Sequence, residues 1–282
     1  MPYRHILLDA KNCVYRAIYA SKSGNDDPII VFFRFINYYI RKYKCETAHF
    51  FWDCPSEEIW RKSIYTEYKS NRGSNEEIKN QLNRCTQIIK ELIPCLNVRS
   101  YERDKQEADD LIYAFCRNKP KDTILIVSSD GDYKQVHYHN PRVDIYNPTN
   151  KMILEVEDKD PIDYKCFMGE KGDNITGYSG IGPKRAETLL NDIEHRCEFL
   201  KNNKDIYIRN RKLIDLSLCP ELAENILYIN EILAVDVLFD YDKIISIISK
   251  HKIRGMMTEV SNIIVPSFKF LNRGDTNGHT CS

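Results

Sequence analysis

The sequence predicts an α/β protein built on a central, mostly parallel sheet flanked by helices. Three apolar runs carry this prediction: HILLD at residues 5–9, HFFWD at 49–53 and ILIVSSD at 124–130. Short apolar runs separated by helical segments are typical of buried parallel strands. Each run ends in an aspartate, and ligand sites of open α/β sheets lie beyond the carboxyl ends of the strands. We therefore expect Asp9, Asp53 and Asp130 to converge on one crevice.

Helices are predicted between the first two strands. Asn12 is a plausible N-cap for a helix over 14–20, the stretch 21–28 reads as a loop, and 29–43 is an aromatic-rich helix. The second strand then covers residues 48–52. The chain between residues 55 and 104 changes character and is expected to be helical as far as Leu96.

This insertion mixes cations with aromatic side chains. The cations are Arg61, Lys62, Lys69, Arg72, Lys79 and Arg84, and the aromatic residues are Trp60, Tyr65 and Tyr68. Stacking together with phosphate contacts is typical of a path for single-stranded nucleic acid. A solvated helical hairpin with packed aromatics explains the same pattern equally well.

The stretch 105–132 dominates the functional interpretation. Apolar residues recur with helical spacing from Ala108 to Phe115, and the run 124–127 reads as a buried strand. Five carboxylates flank these two elements: Glu107, Asp109, Asp110, Asp130 and Asp132. Acidic first turns and Asp-Gly turns are ordinary when they occur singly. Together with the other strand-end aspartates, they predict a site for divalent metal ions.

The second half of the chain begins with a predicted β-hairpin, 143–146 paired with 152–156. Gly180-Ile181-Gly182 and Pro183 then place backbone N–H groups at a helix start, where they can hold a phosphate. Lys184 and Arg185 add positive charge there, and Glu170 and Asp173 precede the turn. Residues 196–255 read as helices with a core stripe at Ile244, Ile247 and Ile248, and a frayed tail is expected from residue 272.

Composition limits the classes of function. Lys plus Arg and Asp plus Glu are balanced at 41 each, which counts mildly against nonspecific coating of DNA. The 10 cysteines show no metal-binding spacing and are interpreted as reduced thiols. We see no signal peptide and no stretch of membrane-spanning length. A cytoplasmic protein is therefore expected.

Four segments, in order, resemble the flap endonuclease family, the structure-specific 5′-nucleases or 5′→3′ exonucleases of phages and bacteria. They are WDCPSEEIWRKSIYTEYKSNR, QEADDLI, SSDGDYKQV and GEKGDNITGYSGIGPKRA. The resemblance implies a PIN-like nuclease core over 1–160 with a helical arch at about 55–104. It also implies a helical DNA-binding region with a helix–hairpin–helix over 161–282.

The resemblance further implies two Mg²⁺ ions per active site, with Mn²⁺ as a substitute. The first ion is expected at Asp9, Asp53, Glu107, Asp109 and Asp130, with Asp110 nearby, and the second at Asp132, Glu170 and Asp173. Lys69 and Arg72 are expected to contact the scissile phosphate, with Arg61 near it. Tyr68 is expected on the nucleic-acid path, and Gly180, Gly182, Lys184 and Arg185 on the duplex, with K⁺ at the hairpin. Glu170 departs from the family, which has Asp there.

The expected activity is hydrolysis of branched or 5′-ended DNA by a monomer, removing flaps or RNA primers during replication. Three alternatives remain open at this stage. One is a metal-dependent ribonuclease of the RNase H type, and another is a catalytically weak protein that binds DNA junctions. The third is a phosphatase acting on sugar phosphates or nucleotides. RNA–DNA hybrids also remain possible substrates, because stacking and phosphate contacts do not report the 2′-hydroxyl.

Overall fold

The computed structural model describes residues 2–55, 57–73, 75–157 and 160–271. A six-stranded sheet with the order β3-β2-β1-β4-β5-β6 forms its centre. The first five of these strands run parallel, and β6 pairs antiparallel with β5. The strands are β1 (His5–Asp9), β2 (Thr47–Phe51), β3 (Arg99–Tyr101), β4 (Ile124–Val127), β5 (Val143–Asn147) and β6 (Met152–Ile153).

The strand order reverses between β1 and β4. The chain moves outward from β1 through β2 to β3 and then returns to place β4 on the other side of β1. This reversal leaves a crevice at the carboxyl ends of the strands, the usual ligand position in such sheets. The fold therefore brings the ends of β1, β2 and β4 to one place.

Helices cover both faces of the sheet. Those of the first part are α1 (Ala10–Ser21), α2 (Pro28–Tyr43), α3 (Arg61–Ile64), α4 (Glu76–Leu92), α5 (Ala108–Asn118) and α6 (Lys134–His139). One face buries α1, α2 and α4 against residues such as Phe32 and Phe50, and the other buries α5 against residues such as Leu7 and Ile126. Both faces are apolar because parallel strands are covered on each side.

The remaining elements form a helical half. They are α7 (Pro161–Met168), β7 (Gly169–Glu170), β8 (Ile175–Thr176), α8 (Pro183–Asn191), α9 (Ile193–Ile214), α10 (Leu222–Ala234), α11 (Tyr241–Lys250), α12 (Met256–Glu259) and α13 (Val265–Phe268), with a π-helical turn at Val260–Ile264. Elements α7 to α9 form two apolar clusters, one of which also includes Cys54, Ile59 and Tyr68. By contrast, α10 packs against α5, and 244–271 join the core around α2 and α4.

Several predicted boundaries are corrected by the structure. The first helix begins at Ala10, not Val14, because the carboxylate of Asp9 rather than Asn12 caps it and accepts the Asn12 N–H at 3.1 Å. The predicted insertion at 55–104 was too wide, because Arg99–Tyr101 pair with β2 as an edge strand. The second arm of the predicted hairpin is only Met152–Ile153.

The predicted helical arch is mostly a core helix. The 17-residue α4 buries Ile78, Leu82 and Ile89 in the same core as α1 and α2. Among the described residues of this segment, Ile59, Lys62, Lys69 and Arg72 line the crevice, whereas none of α4 does. The frayed tail predicted from residue 272 lies outside the described residues. No helix in the described part of the chain is long and apolar enough to cross a membrane.

Candidate active site

A crevice of about 350 Å³ opens where β1, β2 and β4 end. It brings together five of the predicted metal ligands and two of the predicted phosphate-contacting cations. Its lining includes Asp9, Asp53, Glu107, Asp109, Asp130, Lys69 and Arg72. These residues are spread along the sequence from 9 to 130, and the sheet topology brings them together in one site.

Backbone hydrogen bonds hold the strand-end carboxylates in place. Asp9 caps α1, and Asp53 accepts the Ala108 N–H at 2.9 Å, which ties β2 to the start of α5. Asp130 accepts the N–H of Asp132 at 2.9 Å as the chain turns after β4. Lys11, which the sequence analysis did not single out, lies 3.3 Å from Asp53.

The crevice is electrostatically strained. Burial, followed by the charges of Asp53 and Asp130, raises the pKa of Asp9 to about 7. Desolvation in the crevice, together with Asp132, raises the pKa of Asp130 to about 6. Burial also raises the pKa of Asp109 well above its ordinary value. Carboxylates in this state favour any added cation.

Glu107 is in the opposite electrostatic state. Burial acts to raise its pKa, but the cations of Arg61 and Lys69 outweigh that effect and lower the pKa to about 2. Arg61 donates to its Oε2 at 2.8 Å, Tyr68 donates to the same oxygen at 3.0 Å, and Lys69 donates to its Oε1. Glu107 therefore stays ionised at neutral pH and is paired with cationic side chains of the protein itself.

Lys69 owes its position to an unusual backbone conformation. Its φ is 56°, in the left-handed region that residues other than glycine seldom adopt. Its N–H donates to the carbonyl of Asp173 at 2.9 Å, and its ammonium lies 3.7 Å from the Asp173 carboxylate. Residues in strained conformations cluster at functional sites, where the surrounding structure maintains them.

Arg61 lies beneath the crevice rather than in it. Its side chain is 1% exposed and donates to both carboxylate oxygens of Asp110, at 2.8 and 2.9 Å. Trp60 also donates to Asp110, which is fully buried. Arg61 was predicted near the scissile phosphate and Asp110 near the first ion; both lie beneath the crevice, where their buried side chains are inaccessible to a ligand. The signal that could have shown this is the capping box at the start of α5, in which Asp110 accepts the Glu107 N–H.

Tyr68 is also placed differently from its prediction. It is 2% exposed and donates to Glu107 and Asp173, so it cannot stack on a base. The aromatic side chains that do reach solvent near the crevice are Tyr15 and Tyr19 on α1, 36% and 59% exposed. Sequence reasoning missed them, although their i, i+4 spacing places them on one helix face.

The residues predicted for the second metal lie beside the crevice, and each is paired with a cation. Lys165 of α7 donates to Asp132 and lies 2.5 Å from Oε2 of Glu170. Asp173 is held by Arg72 at 2.5 Å. Lys165 was not identified from the sequence, because a lone lysine within a short helix gives no signal.

Two glycines allow the backbone to place Glu170. A Cβ on Gly177 would lie 2.3 Å from the carbonyl carbon of Met168, and Gly169 adopts a φ of +75°. Their close approach lets β7 and β8 form a tight antiparallel pair, in which Glu170 faces Ile175. Only glycine fits such a contact between two backbones.

The Gly180–Gly182 turn presents an open backbone. Gly180 has a φ of +76°, Gly182 caps α8, and a Cβ on either residue would meet nothing within 4 Å. Ile181 anchors the turn by burying its side chain with Phe167 and Leu189. Lys184 and Arg185 are exposed on the first turn of α8.

The donor chemistry fits divalent metal ions, although the side chains are not yet arranged around one. Within the described part of the chain, no group of three His, Cys, Asp or Glu side chains stands in a metal-holding arrangement. Mg²⁺ prefers carboxylate oxygens, and the raised pKa values of Asp9 and Asp130 show that positive charge is needed there. Cys54 also lines the crevice, but burial raises its pKa to about 12, so it is no nucleophile at neutral pH.

Residues 4–165 match the family described as 5′-3′ exonuclease, N-terminal resolvase-like domain. This chain belongs to the 5′-3′ exonuclease family. The resemblance, the α/β fold class and the phosphodiester-hydrolase class predicted from sequence are thereby confirmed.

Other members of the 5′-3′ exonuclease family align over most of the chain. The "5'-3' exonuclease" of Mycoplasmopsis pulmonis is 28% identical over 203 residues, which are 68% of this chain and 67% of that protein. That of Aquifex aeolicus is 29% identical over 215 residues, 70% of this chain and 72% of that protein. DNA polymerase I of Caldicellulosiruptor bescii is 28% identical over 70% of this chain, a match that spans 25% of the polymerase.

Solved structures share the fold of this exonuclease. The bacteriophage T5 D15 protein, co-crystallised with metal ions, superimposes with a TM-score of 0.66 at 18% identity, covering 88% of this chain and 98% of that protein. The T5 D15 flap endonuclease, in a pseudo-enzyme–product complex with DNA and metal ions, gives a TM-score of 0.64 at 17% identity, covering 88% and 99%. The catalytic core of Rad2 with DNA substrate gives 0.53 at 13% identity, covering 95% and 93%.

Proposed function

We propose that this family member is a magnesium-dependent, structure-specific 5′-nuclease that cleaves DNA with 5′ flaps, ends or branches. The observation that carries the proposal is the crevice in which carboxylates with raised pKa values lie beside Lys69 and Arg72. Such a site accepts divalent cations and a phosphodiester together. We place it in a monomer that removes flaps or RNA primers during replication, with two Mg²⁺ ions that Mn²⁺ can replace.

The two acidic groups have different tasks in this proposal. Asp9, Asp53, Glu107, Asp109 and Asp130 hold the first ion, and Asp132, Glu170 and Asp173 hold the second. Bound divalent ions supply Lewis-acid activation of water and stabilisation of the leaving oxygen in phosphodiester hydrolysis. The side chains of this chain fix the donors, and Arg61 and Asp110 support them from below.

Lys69 and Arg72 orient the scissile phosphate. Both line the crevice while their ammonium and guanidinium groups are paired with Glu107 and Asp173. Positive charge held in a partly buried site stabilises the additional negative charge of a phosphoryl transition state. We expect Lys69→Ala to lower turnover far more than DNA affinity, and comparable losses in both would contradict this role.

The single strand leaves the crevice along a groove between α1 and α4. This groove encloses about 630 Å³ and shares Tyr15, Asp53 and Arg72 with the crevice. Tyr15 and Tyr19 offer aromatic faces, and Lys79 lies across from them on α4. Aromatic stacking and phosphate contacts are the usual means of holding a single strand without sequence preference.

The duplex is held at the Gly180–Gly182 turn. The open backbone N–H groups and the start of α8 suit a phosphate, and Lys184 and Arg185 add charge. A K⁺ ion at this turn belongs to the same proposal. The turn follows directly after Glu170 and Asp173, so the duplex grip and the second acidic group share one short stretch of chain.

The test is cleavage of a 5′-labelled flap duplex and a matched RNA-primed duplex, each with Mg²⁺ and with EDTA. Magnesium-dependent cuts near the junction support the proposal, and the ratio of the two rates decides whether DNA flaps or RNA primers are the preferred substrate. Asp130→Asn is expected to abolish cleavage while the protein stays folded. Lys171→Met, which removes an exposed charge nearby, serves as the matched control. Binding without any cleavage identifies a junction-binding protein and contradicts the proposal.

A further inference from the structure

The second acidic group already holds a cation that belongs to the protein. The ammonium of Lys165 donates to Asp132 and lies 2.5 Å from Glu170 Oε2. Its side chain is only 26% exposed, against 18% for Asp132 and 29% for Glu170. One ammonium therefore bridges two carboxylates that come from different parts of the chain, the turn after β4 and strand β7.

The cavity beside this ammonium has no room for a hydrated ion. The neighbouring cavity, lined by Asp132, Lys165 and Ile162 among others, measures about 10 Å³. A cavity of this size holds about one water molecule. Mg²⁺ usually keeps several of its own waters when it binds protein. An ion that binds Asp132 and Glu170 together would take the position where the ammonium now bridges them, so the ammonium has to leave.

The first acidic group differs in this respect. Arg61 holds Glu107 at 2.8 Å together with Lys69, and Lys11 is 3.3 Å from Asp53, but Asp9 and Asp130 pair with no cation among the described residues. The crevice that these carboxylates line measures about 350 Å³, with ample space for a hydrated ion. The two groups therefore differ both in open space and in the charge that the protein itself supplies.

We infer that Lys165 occupies the second cation position of the resting protein and competes with the second divalent ion for Asp132 and Glu170. The first ion then binds tightly and the second weakly, because the first finds Asp9 and Asp130 without a paired cation among the described residues, whereas the second has to displace the ammonium that bridges Asp132 and Glu170. This inference rests on the proposed function, which assigns Asp132, Glu170 and Asp173 to the second ion.

The closing experiment is a titration with Mn²⁺, in which free Mn²⁺ is measured by electron paramagnetic resonance. The wild-type protein is expected to show one tight and one weak site. Lys165→Met should strengthen the weak site by about tenfold, which corresponds to about 1.4 kcal/mol, and leave the tight site unchanged. Lys171→Met, which removes the same charge from an exposed position, should bind as the wild type does.

A second measurement follows the thermal stability of the protein. In EDTA, Lys165→Met should melt several degrees below the wild type, because Asp132 and Glu170 lose their counter-ion. Added Mn²⁺ should restore most of that loss. Lys165→Gln, which keeps hydrogen-bond donors without charge, provides a second variant if the methionine protein does not fold. In Asp132→Asn/Lys165→Met the gain in Mn²⁺ affinity should vanish, which would locate it at this pair.

The outcomes separate the two proposals. Two Mn²⁺ sites that are unchanged by Lys165→Met overturn the competition while leaving the proposed function intact. A raised KM for DNA with unchanged Mn²⁺ binding also overturns it and assigns Lys165 to the substrate. If neither the wild type nor any variant binds Mn²⁺, the proposed function itself fails.

Discussion

Replacing Arg61 by methionine separates a structural role from a catalytic one. The guanidinium makes four hydrogen bonds, at 2.8–2.9 Å, to Glu107, Asp110 and the carbonyl of Leu213. Asp110 is 0% exposed, so water cannot replace the lost donors. Breaking one side of a buried ion pair costs about 3–5 kcal/mol. For a protein of this size we therefore expect Arg61→Met to lower the melting temperature by about 10 °C.

Urea unfolding followed by far-UV circular dichroism measures this loss. Lys62→Met, the adjacent residue with the same change of charge on a half-buried side chain, should cost less than about 1 kcal/mol. Arg61→Met/Asp110→Leu should recover part of the stability, because the unpaired carboxylate is removed together with its partner. A fully stable Arg61→Met protein that has lost only cleavage would refute the structural role and indicate that Arg61 acts on the substrate.

Three further predictions concern charge, backbone and pH. Asp9→Asn keeps the helix cap but removes a carboxylate whose pKa is raised to about 7. It should therefore abolish cleavage and stabilise the metal-free protein by about 1–3 kcal/mol, as measured by thermal unfolding in EDTA. A destabilised variant would contradict this. Gly177→Ala should cost about 3 kcal/mol in urea unfolding, because its Cβ would meet the Met168 backbone at 2.3 Å, whereas Gly24→Ala has free space and should be neutral. Burial, then His5, lowers the pKa of His49 well below its ordinary value; the folded state thus binds fewer protons than the unfolded state, and the stability present above pH 6.5 falls by about 1.4 kcal/mol per pH unit below it. The loss of unfolding free energy between pH 6.5 and 5.5 should be greater, by about 1 kcal/mol, in the wild type and in His195→Gln than in His49→Gln, since the raised pKa values of Asp9 and Asp130 act in the opposite direction in all three proteins.

The sheet and its site could be predicted because the signal was local. Three apolar runs ending in aspartate define where β1, β2 and β4 finish, and parallel strands place those ends together. The acidic start of α5 reaches the same edge for the same reason. Strand β3 was missed because three residues with alternating polarity, Arg99–Tyr101, give too short a pattern to outweigh the helix before them.

The direction in which each cationic side chain points could not be predicted in the same way. Arg61, Tyr68 and Lys69 fall within nine residues of one another, yet the first two are buried and only the third lines the crevice. Their orientation depends on Glu107 and Asp110, which lie about forty residues later and on another element. Sequence patterns show which residues can carry charge, whereas the tertiary fold decides which partner each charged side chain contacts.

The packing of the C-terminal helices has a consequence for how the protein can be divided. Residues 161–214, which carry the Gly180–Gly182 turn, leave the α/β core after β6, and the chain returns to it through α10 on α5 and through 244–271 beside α2 and α4. The segment that carries the Gly180–Gly182 turn is therefore attached to the core at both ends and is not a separable domain. Limited proteolysis within 193–214 should yield two fragments that co-elute under native conditions. A shortened gene ending near residue 215 should give an insoluble product. It would remove α10, which covers α5 on one side of the sheet, and 244–271, which pack beside α2 and α4 on the other.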